Sequence, residues 1–373
     1  MSDCEVSYHS ASSESENKPW LTISIAVYNA EQFFSKCLAS IANQSFRDFE
    51  VIIVDDGSTD DSLSIAQKFA EKDARFRVYS NSHKGAYSTK AEAFELARGE
   101  YVLSCDADDY FVNNAFQIIY NTVKDGEYEL IQFNYWTKYN YIKLINKLPY
   151  KIVTLNAEKF RDEEYIRMLC GEVDHTRLKG YLWCKLFHCR LLKNLPSPSA
   201  RADFFMGDDM LLNMHLLKDC KSALFINKPL YVYRILTGNS VRFRKNALKD
   251  SDYLKKYQFA FLEGMNQQLQ AKAKLIIYTS IAKDIFYFTN ACINNVSIKD
   301  TEQYLCEALS LPTVVKAKEY FIKNCTGQNE LWIDLIRQAD PLVYIDVVQA
   351  CIRSESMWTK VIKLVKRLVK RII

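Results

Sequence analysis

No apolar run in this chain reaches the roughly 18 residues that a membrane-spanning helix needs, and none of its 11 cysteines stands in a Cys-x-x-Cys pair. The cysteines are odd in number, and Cys105, Cys170, Cys292 and Cys306 lie in or beside apolar runs. They read as reduced, core-filling thiols of a cytosolic protein rather than a disulfide framework. Cys184, His188 and Cys189 come nearest to metal-ligand spacing, but their flanks read as ordinary element packing. An excess of one charge is also missing: 49 basic residues face 45 acidic ones, for a net +4, so nucleic acid is not an expected partner. There is no internal repeat, no Ser/His or Cys/His pairing suited to covalent catalysis, and no Gly-rich phosphate loop after the first strand-like run. The first 18 residues are polar, Ser-rich and acidic, the reverse of a signal peptide, and predict a disordered tail.

What is present is ample apolar material, 49% of 373 residues with 13% aromatic, enough for a sizeable core. LTISIAVYN, FEVIIVDD, RFRVYSN and EYVLSCD read as strands, and the segments after the first three have apolar residues at helical spacing. This alternation to about residue 125 predicts a doubly wound α/β sheet, whose ligands bind beyond the C-terminal strand ends. YELIQFNYW and KPLYVYRI predict further strands, and GDDMLLNMHLLKD a helix. The pattern is almost wholly helical over residues 246–352, which are expected to form a helical subdomain after a catalytic domain at 19–245. Residues 353–373 predict a basic amphipathic helix: Trp358, Val361, Ile362, Val365, Leu368, Val369 and Ile372 fall on one side, and six cations with no acid on the other. Such a face binds anionic membrane surfaces, although a terminal helix docked on the protein remains an alternative.

The sharpest signal is a pair of acidic clusters at strand ends: Asp55 and Asp56 in VIIVDDGSTDDS, then Asp106, Asp108 and Asp109 in GEYVLSCDADDYF. Close carboxylates repel, and buried ones are costly unless compensated. A divalent cation carrying a phosphorylated ligand would compensate them. The departing diphosphate of a nucleotide sugar is such a ligand, and Mg²⁺ or Mn²⁺ takes oxygen donors of the kind that Asp106-Ala107-Asp108 supplies.

Taken in order, VYNAEQF, FEVIIVDDGSTDDS, ARGEYVLSCDADDYF, GDDMLLN and LYVYRILTGNSV resemble glycosyltransferase family 2, the inverting GT-A-fold enzymes, here of the bacterial surface-glycan type. The resemblance spans roughly residues 20–240. It implies a UDP-sugar donor, with Val27 and Tyr28 packing around the base and Asp56 accepting a hydrogen bond from the uracil ring. Asp106 and Ala107 would lie by the ribose and metal, Asp108 would be the direct metal ligand, and Asp209 the catalytic base. Asp208 stands where the family carries Glu. Lys90-Ala91 replaces a common Arg-Asn pair, leaving Lys90 to offer a single charge to the diphosphate. His175, Trp183, Lys185 and Asp208 are candidates for the acceptor side, and Arg234 could meet phosphate. Asp55, Asp60 and Asp61 are left to turns and helix caps.

These readings predict a cytosolic, peripherally membrane-associated, metal-dependent transferase acting on a glycan acceptor that the basic tail suggests is lipid-linked. A silent nucleotide-sugar-binding scaffold of the same fold is the alternative.

Overall fold

The computed structural model describes residues 18–139, 141–145, 148–171, 176–197, 207–235, 244, 246–265, 267–324 and 331–353. The first 17 residues and those from 354 onward, which hold the acidic tail and the amphipathic segment, lie outside the described residues.

The alternation produces β1 (Leu21–Val27), α1 (Glu31–Ala42), β2 (Phe49–Asp55), α2 (Ser62–Lys72), β3 (Phe76–Ser80), α3 (Ala86–Glu95) and β4 (Tyr101–Ser104). β1 pairs in parallel with both β2 and β4, and β2 with β3. Every residue of β2 is buried, as a strand covered on both faces requires. α3 begins four residues earlier than the apolar spacing of KAEAFELAR suggests, because Gly85 takes φ 87° and turns the chain into the helix.

The second half of the sheet is mixed. It comprises β5 (Tyr110–Phe111), β6 (Leu130–Tyr139), β7 (Ile142–Ile145), β8 (Ile152–Asn156), β9 (Lys185–His188) and β10 (Ser222–Ile235), with α4 (Ala115–Val123) between β5 and β6. The ten strands run β3-β2-β1-β4-β9-β6-β10-β5, with β7 beside β6 and β8 beside β10. β9 is antiparallel to β4 and β6 and seams the halves together, whereas β6 and β10 are parallel. The fold is therefore α/β, a mostly parallel core extended by antiparallel strands and flanked by helices.

A helical passage follows β8: α5 (Ala157–Lys159), a π turn (Phe160–Tyr165) and α6 (Ile166–Leu169). It carries Glu164, which is buried and accepts from Thr176 Oγ1 at 2.7 Å, Arg177 N at 2.6 Å and Leu178 N at 3.1 Å, with the Arg177 guanidinium closing the pair. Gln132 on β6 holds the next stretch, donating to Arg177 O at 2.6 Å and accepting from Lys179 N at 3.1 Å. These bonds fix the segment 176–183, which borders α7 (Asp208–Leu217).

The remaining chain is α8 (Ala247–Leu262), α9 (Gln267–Asn295), α10 (Ile298–Leu309), α11 (Pro312–Asn324), α12 (Leu331–Gln338) and α13 (Pro341–Arg353). The other five pack around α9, which buries Ala273, Ile277, Ile281, Ile285, Phe288 and Cys292 at helical spacing. Pro312 and Pro341 sit at first helical positions, where a missing N–H costs nothing. Asp252 on α8 caps α11, accepting from Thr313 N at 3.0 Å and Thr313 Oγ1 at 2.6 Å. The helical bundle shares one apolar cluster with α7, β10 and α3, so it backs the sheet directly. Among the described residues no helix is long and apolar enough to cross a membrane.

Candidate active site

The C-terminal ends of β1, β2 and β4 bring the two acidic clusters to one edge of the sheet. Their neighbourhoods differ. In the β2 turn, Asp56 is buried and its carboxylate faces inward: Oδ1 accepts from Lys84 N at 2.8 Å and Oδ2 from Gly85 N at 3.1 Å, with His83 Nδ1 2.9 Å from Oδ2 and 3.2 Å from the Asp56 carbonyl oxygen. Gly57 lets this turn lie against the next one. Its φ is +74°, and a Cβ there would stand 2.9 Å from His83 N. His83 in turn stacks on Tyr28, ring centroids 4.4 Å apart, and Tyr28 is 48% exposed while Val27 is buried beneath it. A half-exposed aromatic ring, stacked on His83, thus neighbours an anchored carboxylate. His83, in the turn NSHKG, was not singled out by the sequence reading; its only signal there was its place beside a strand end.

Asp55 and Asp60 serve the turns. Asp55 accepts from Ser58 N at 3.1 Å, and Asp60 from Glu31 N at 3.0 Å and Ser62 N at 2.9 Å, so Asp60 laces the start of α1 to the start of α2. Asp61 precedes α2 without a side-chain cap bond.

At the end of β4, ligand oxygens of Asp106, Asp108 and Asp109 all lie within 4.8 Å of one another. This is the group suited to a metal ion among the described residues, and Cys184, His188 and Cys189 do not form another. Asp109 is fully buried. Its Oδ1 accepts from Arg234 N at 2.7 Å, but Oδ2 is buried without a hydrogen-bond partner. Burial, then the charges of Asp106 and Asp108, push the Asp109 carboxyl up to about 9. Burial also lifts Asp106 to about 7, with Lys90 opposing and Asp209, Asp108 and Asp208 reinforcing the rise, and it raises Asp108. Crowded hard-oxygen donors with an orphaned lone pair fit a divalent cation such as Mg²⁺ or Mn²⁺. The sequence placed Asp109 in the cluster but gave it no role, because Asp-x-Asp spacing directs attention to Asp106 and Asp108.

The third acidic pair arrives from far along the chain. Asp208 and Asp209 open α7, whose Gly207 cap has φ 91°. α7 packs on α3, and the Lys90 ammonium from α3 lies 2.6 Å from both Asp208 Oδ2 and Asp209 Oδ1. Burial alone would lower the Lys90 ammonium, yet Asp209, Asp208 and Asp106 outweigh it and hold it well above the ordinary lysine range. Two of the three Lys90 donors are therefore taken by the acids of α7, and the charge expected to face the diphosphate is held at that pair. The second oxygen of Asp209 accepts from Leu182 N at 3.2 Å.

The acceptor-side candidates separate. Trp183 is buried in an aromatic stack, parallel to Tyr181 at 3.7 Å, to Tyr233 at 5.0 Å and to Tyr231 at 5.3 Å. Lys185 lies beneath the cleft wall and not on it, contrary to expectation: it is fully buried, its Nζ donates to Lys179 O at 2.6 Å and also to Tyr181 O, and burial lowers it to about 7. Lys185 thus ties segment 179–183 to β9, while Asn213, which donates to Gly180 O at 2.9 Å, ties it to α7. Cys184, with φ 64°, turns the chain from that segment into β9. His175 lies outside the described residues.

Residues 22–175 match the model of glycosyl transferase family 2. This segment is a family 2 glycosyltransferase domain. Relatives of the glycosyltransferase include Bacillus subtilis EpsJ, a glycosyltransferase 24% identical over 80% of this chain and 86% of its own length. Another is B. subtilis EpsH, a putative glycosyltransferase by its name, 27% identical over 70% of this chain and 76% of its own. Among solved structures, Staphylococcus aureus TarS 1–349 in complex with UDP superposes with a TM-score of 0.59, at 17% identity, over 90% of this chain and 92% of its own. At that identity TarS speaks for the fold alone, a GT-A arrangement with a helical C-terminal region.

Two outcomes test the electrostatics of the glycosyltransferase. Replacing Lys90 by Met strands two adjoining carboxylates and is expected to cost about 2–4 kcal/mol in denaturant unfolding, with Lys90→Arg retaining most of it; an unchanged midpoint would contradict the pairing. For Asp109 the folded value lies above the ordinary one, so its contribution is complete below about pH 4 and is lost as pH rises toward about 9. In chelator, wild type should therefore lose melting temperature across that window more steeply than Asp109→Asn, and parallel curves would count against the assignment.

Proposed function

We propose that the protein is a metal-dependent, inverting glycosyltransferase that moves a sugar from a nucleotide sugar, a UDP-sugar, to a hydroxyl of a glycan acceptor. The observation that carries this reading is the convergence of the Asp106, Asp108 and Asp109 oxygens on one point beside the Lys90, Asp208 and Asp209 group. Donor complexes support the choice of nucleotide by analogy: TarS 1–349 was also solved with UDP-GlcNAc, at a TM-score of 0.57 and 16% identity, over 90% of this chain and 91% of its own.

In this reading Val27, Tyr28 and His83 border the base, with Asp56 beside them to accept from the ring N–H of uracil. Asp106, Asp108 and Asp109 would hold Mn²⁺ or Mg²⁺, and Ala107 lets the backbone approach the ribose. The metal supplies neutralisation of the charge that develops on the departing diphosphate.

Asp209 is the base. Its two oxygens offer about four lone-pair sites, of which Lys90 and Leu182 N occupy two. A remaining one takes the proton of the acceptor hydroxyl as that oxygen forms its bond to the anomeric carbon from the side opposite the leaving group. The bond from the anomeric carbon to the diphosphate oxygen breaks with its electron pair on the diphosphate, and the configuration inverts. Lys90 and Leu182 N hold the carboxylate in place, the helix N-terminus favours its charge, and Asp208 shares the ammonium. Trp183 stiffens the adjoining wall.

The acceptor is proposed to be lipid-linked, of the lipopolysaccharide or capsule type, with the protein at the inner membrane surface through residues 356–373. The competing reading, a silent scaffold, keeps the fold without turnover. Asp209→Asn separates them: sugar transfer should fall by about 10²-fold or more while UDP affinity stays within about twofold. A variant as active as wild type would remove Asp209 from the mechanism.

A further inference from the structure

Tyr110 on β5 follows the acidic cluster directly, and three cations gather on its ring. Lys36 Nζ lies 4.3 Å from the ring centroid, Arg234 Cζ 4.9 Å and Lys143 Nζ 5.6 Å. Arg234 also lies 4.9 Å over Phe33 of α1. In the sheet, Arg234 is the register partner of Lys138, and Lys138 that of Lys143, so their side chains leave the same face of three adjacent strands.

This gathering is unfavourable as it stands. Like charges directly opposite on neighbouring strands destabilise a sheet, and Lys36, Lys138, Lys143 and Arg234 make no ion pair with a carboxylate among the described residues. The Nε and Nη2 of Arg234 are buried without a hydrogen-bond partner. Both atoms are closed off from solvent, with the guanidinium lying between the rings of Tyr110 and Phe33, so Arg234 adds its charge from behind the three lysines. What the lysines lack is an anion at the surface, and a phosphate group, whose oxygens take lysines as point charges, is of the right kind.

We propose that Lys36, Lys138, Lys143 and Arg234 form an anion subsite that binds a phosphate group carried by the acceptor. The inference rests on the glycosyltransferase reading above, in which the donor's diphosphate belongs to the Asp106–Asp109 cluster. The lysines lie outward of that cluster, on α1 and on the β6–β7 hairpin. The hairpin exposes Tyr139, Tyr141 and Ile142 at its turn, which gives a bulky acceptor apolar surface beside the cations.

Lys36 and Lys143 are exposed and Lys138 is half-buried, so a triple Lys36→Gln, Lys138→Gln, Lys143→Gln variant should fold. Two probes are titrated with UDP and Mn²⁺ already saturating: a soluble glycerol-phosphate oligomer, and a short-chain phosphatidic acid kept monomeric, so that no bilayer is offered to residues 356–373. Wild type should bind at least one probe, and the triple variant should bind it about tenfold or more weakly, with UDP affinity within about twofold of wild type. Binding of the phosphatidic acid alone assigns the phosphate to a lipid anchor, and binding of the oligomer alone to a soluble chain; either supports the subsite. The proposal is overturned if wild type binds neither probe, if the triple variant binds as wild type does, or if UDP affinity falls in step, which would give these cations to the donor. Wild type that fails to bind UDP at all would instead remove the glycosyltransferase reading on which the subsite rests.

Discussion

One ammonium group organises the chemistry of this protein. Lys90 stands between α3 and α7, 2.6 Å from the carboxylates of both Asp208 and Asp209, and its charge also reaches Asp106. Without it, five carboxyl groups would meet at the rim of the sheet with little to offset their repulsion. With it, the acids divide into a pair neutralised within the protein and a triad at the end of β4 that stays short of positive charge. That imbalance is what suits the triad to a divalent cation, and Lys90 holds Asp209 oriented at the edge of the same site.

The surrounding structure exists largely to hold this arrangement still. Segment 176–183 is tied at one end by Glu164, in the middle by Gln132 and Lys185, and at the other by Asn213 and Asp209, so Leu182 N reaches Asp209 at a fixed angle. Trp183, stacked among Tyr181, Tyr231 and Tyr233, converts the same segment into a rigid wall. Tyr231 closes the circuit, its hydroxyl accepting from Asp106 N at 3.1 Å. The helical bundle behind α7 contributes by sharing the apolar cluster on which α7 rests.

Much of this was legible in the chain. β1 to β4 announce themselves because buried parallel strands are continuous apolar runs and their helices keep a clear period, and the acidic clusters stand out because strand ends rarely carry so many like charges. The short strands β5, β7 and β9 have no such signature: they exist through pairing with distant partners, which local composition does not encode. The same limit hid the surroundings of two lysines. Lys90 and Lys185 are ordinary lysines in sequence, and only the packing of α3 on α7, or of β9 between β4 and β6, decides that one is an ion-pair hub and the other a buried tie to backbone carbonyls. His83 was missed likewise because a turn brings it against Tyr28, and Asp109, though counted in the cluster, was given no role because the burial that leaves its Oδ2 without a partner is not visible in the sequence.

The central claim is that the Asp106, Asp108 and Asp109 triad is completed by a divalent cation that the nucleotide shares. Titration calorimetry of Mn²⁺ into the UDP-saturated protein tests it most directly, with Asp108→Asn alongside. One ion should bind per chain in wild type, and affinity should fall by about tenfold or more in the variant, in line with the loss of a charged oxygen donor. Equal affinity in the two proteins, or no binding in either, would contradict the claim.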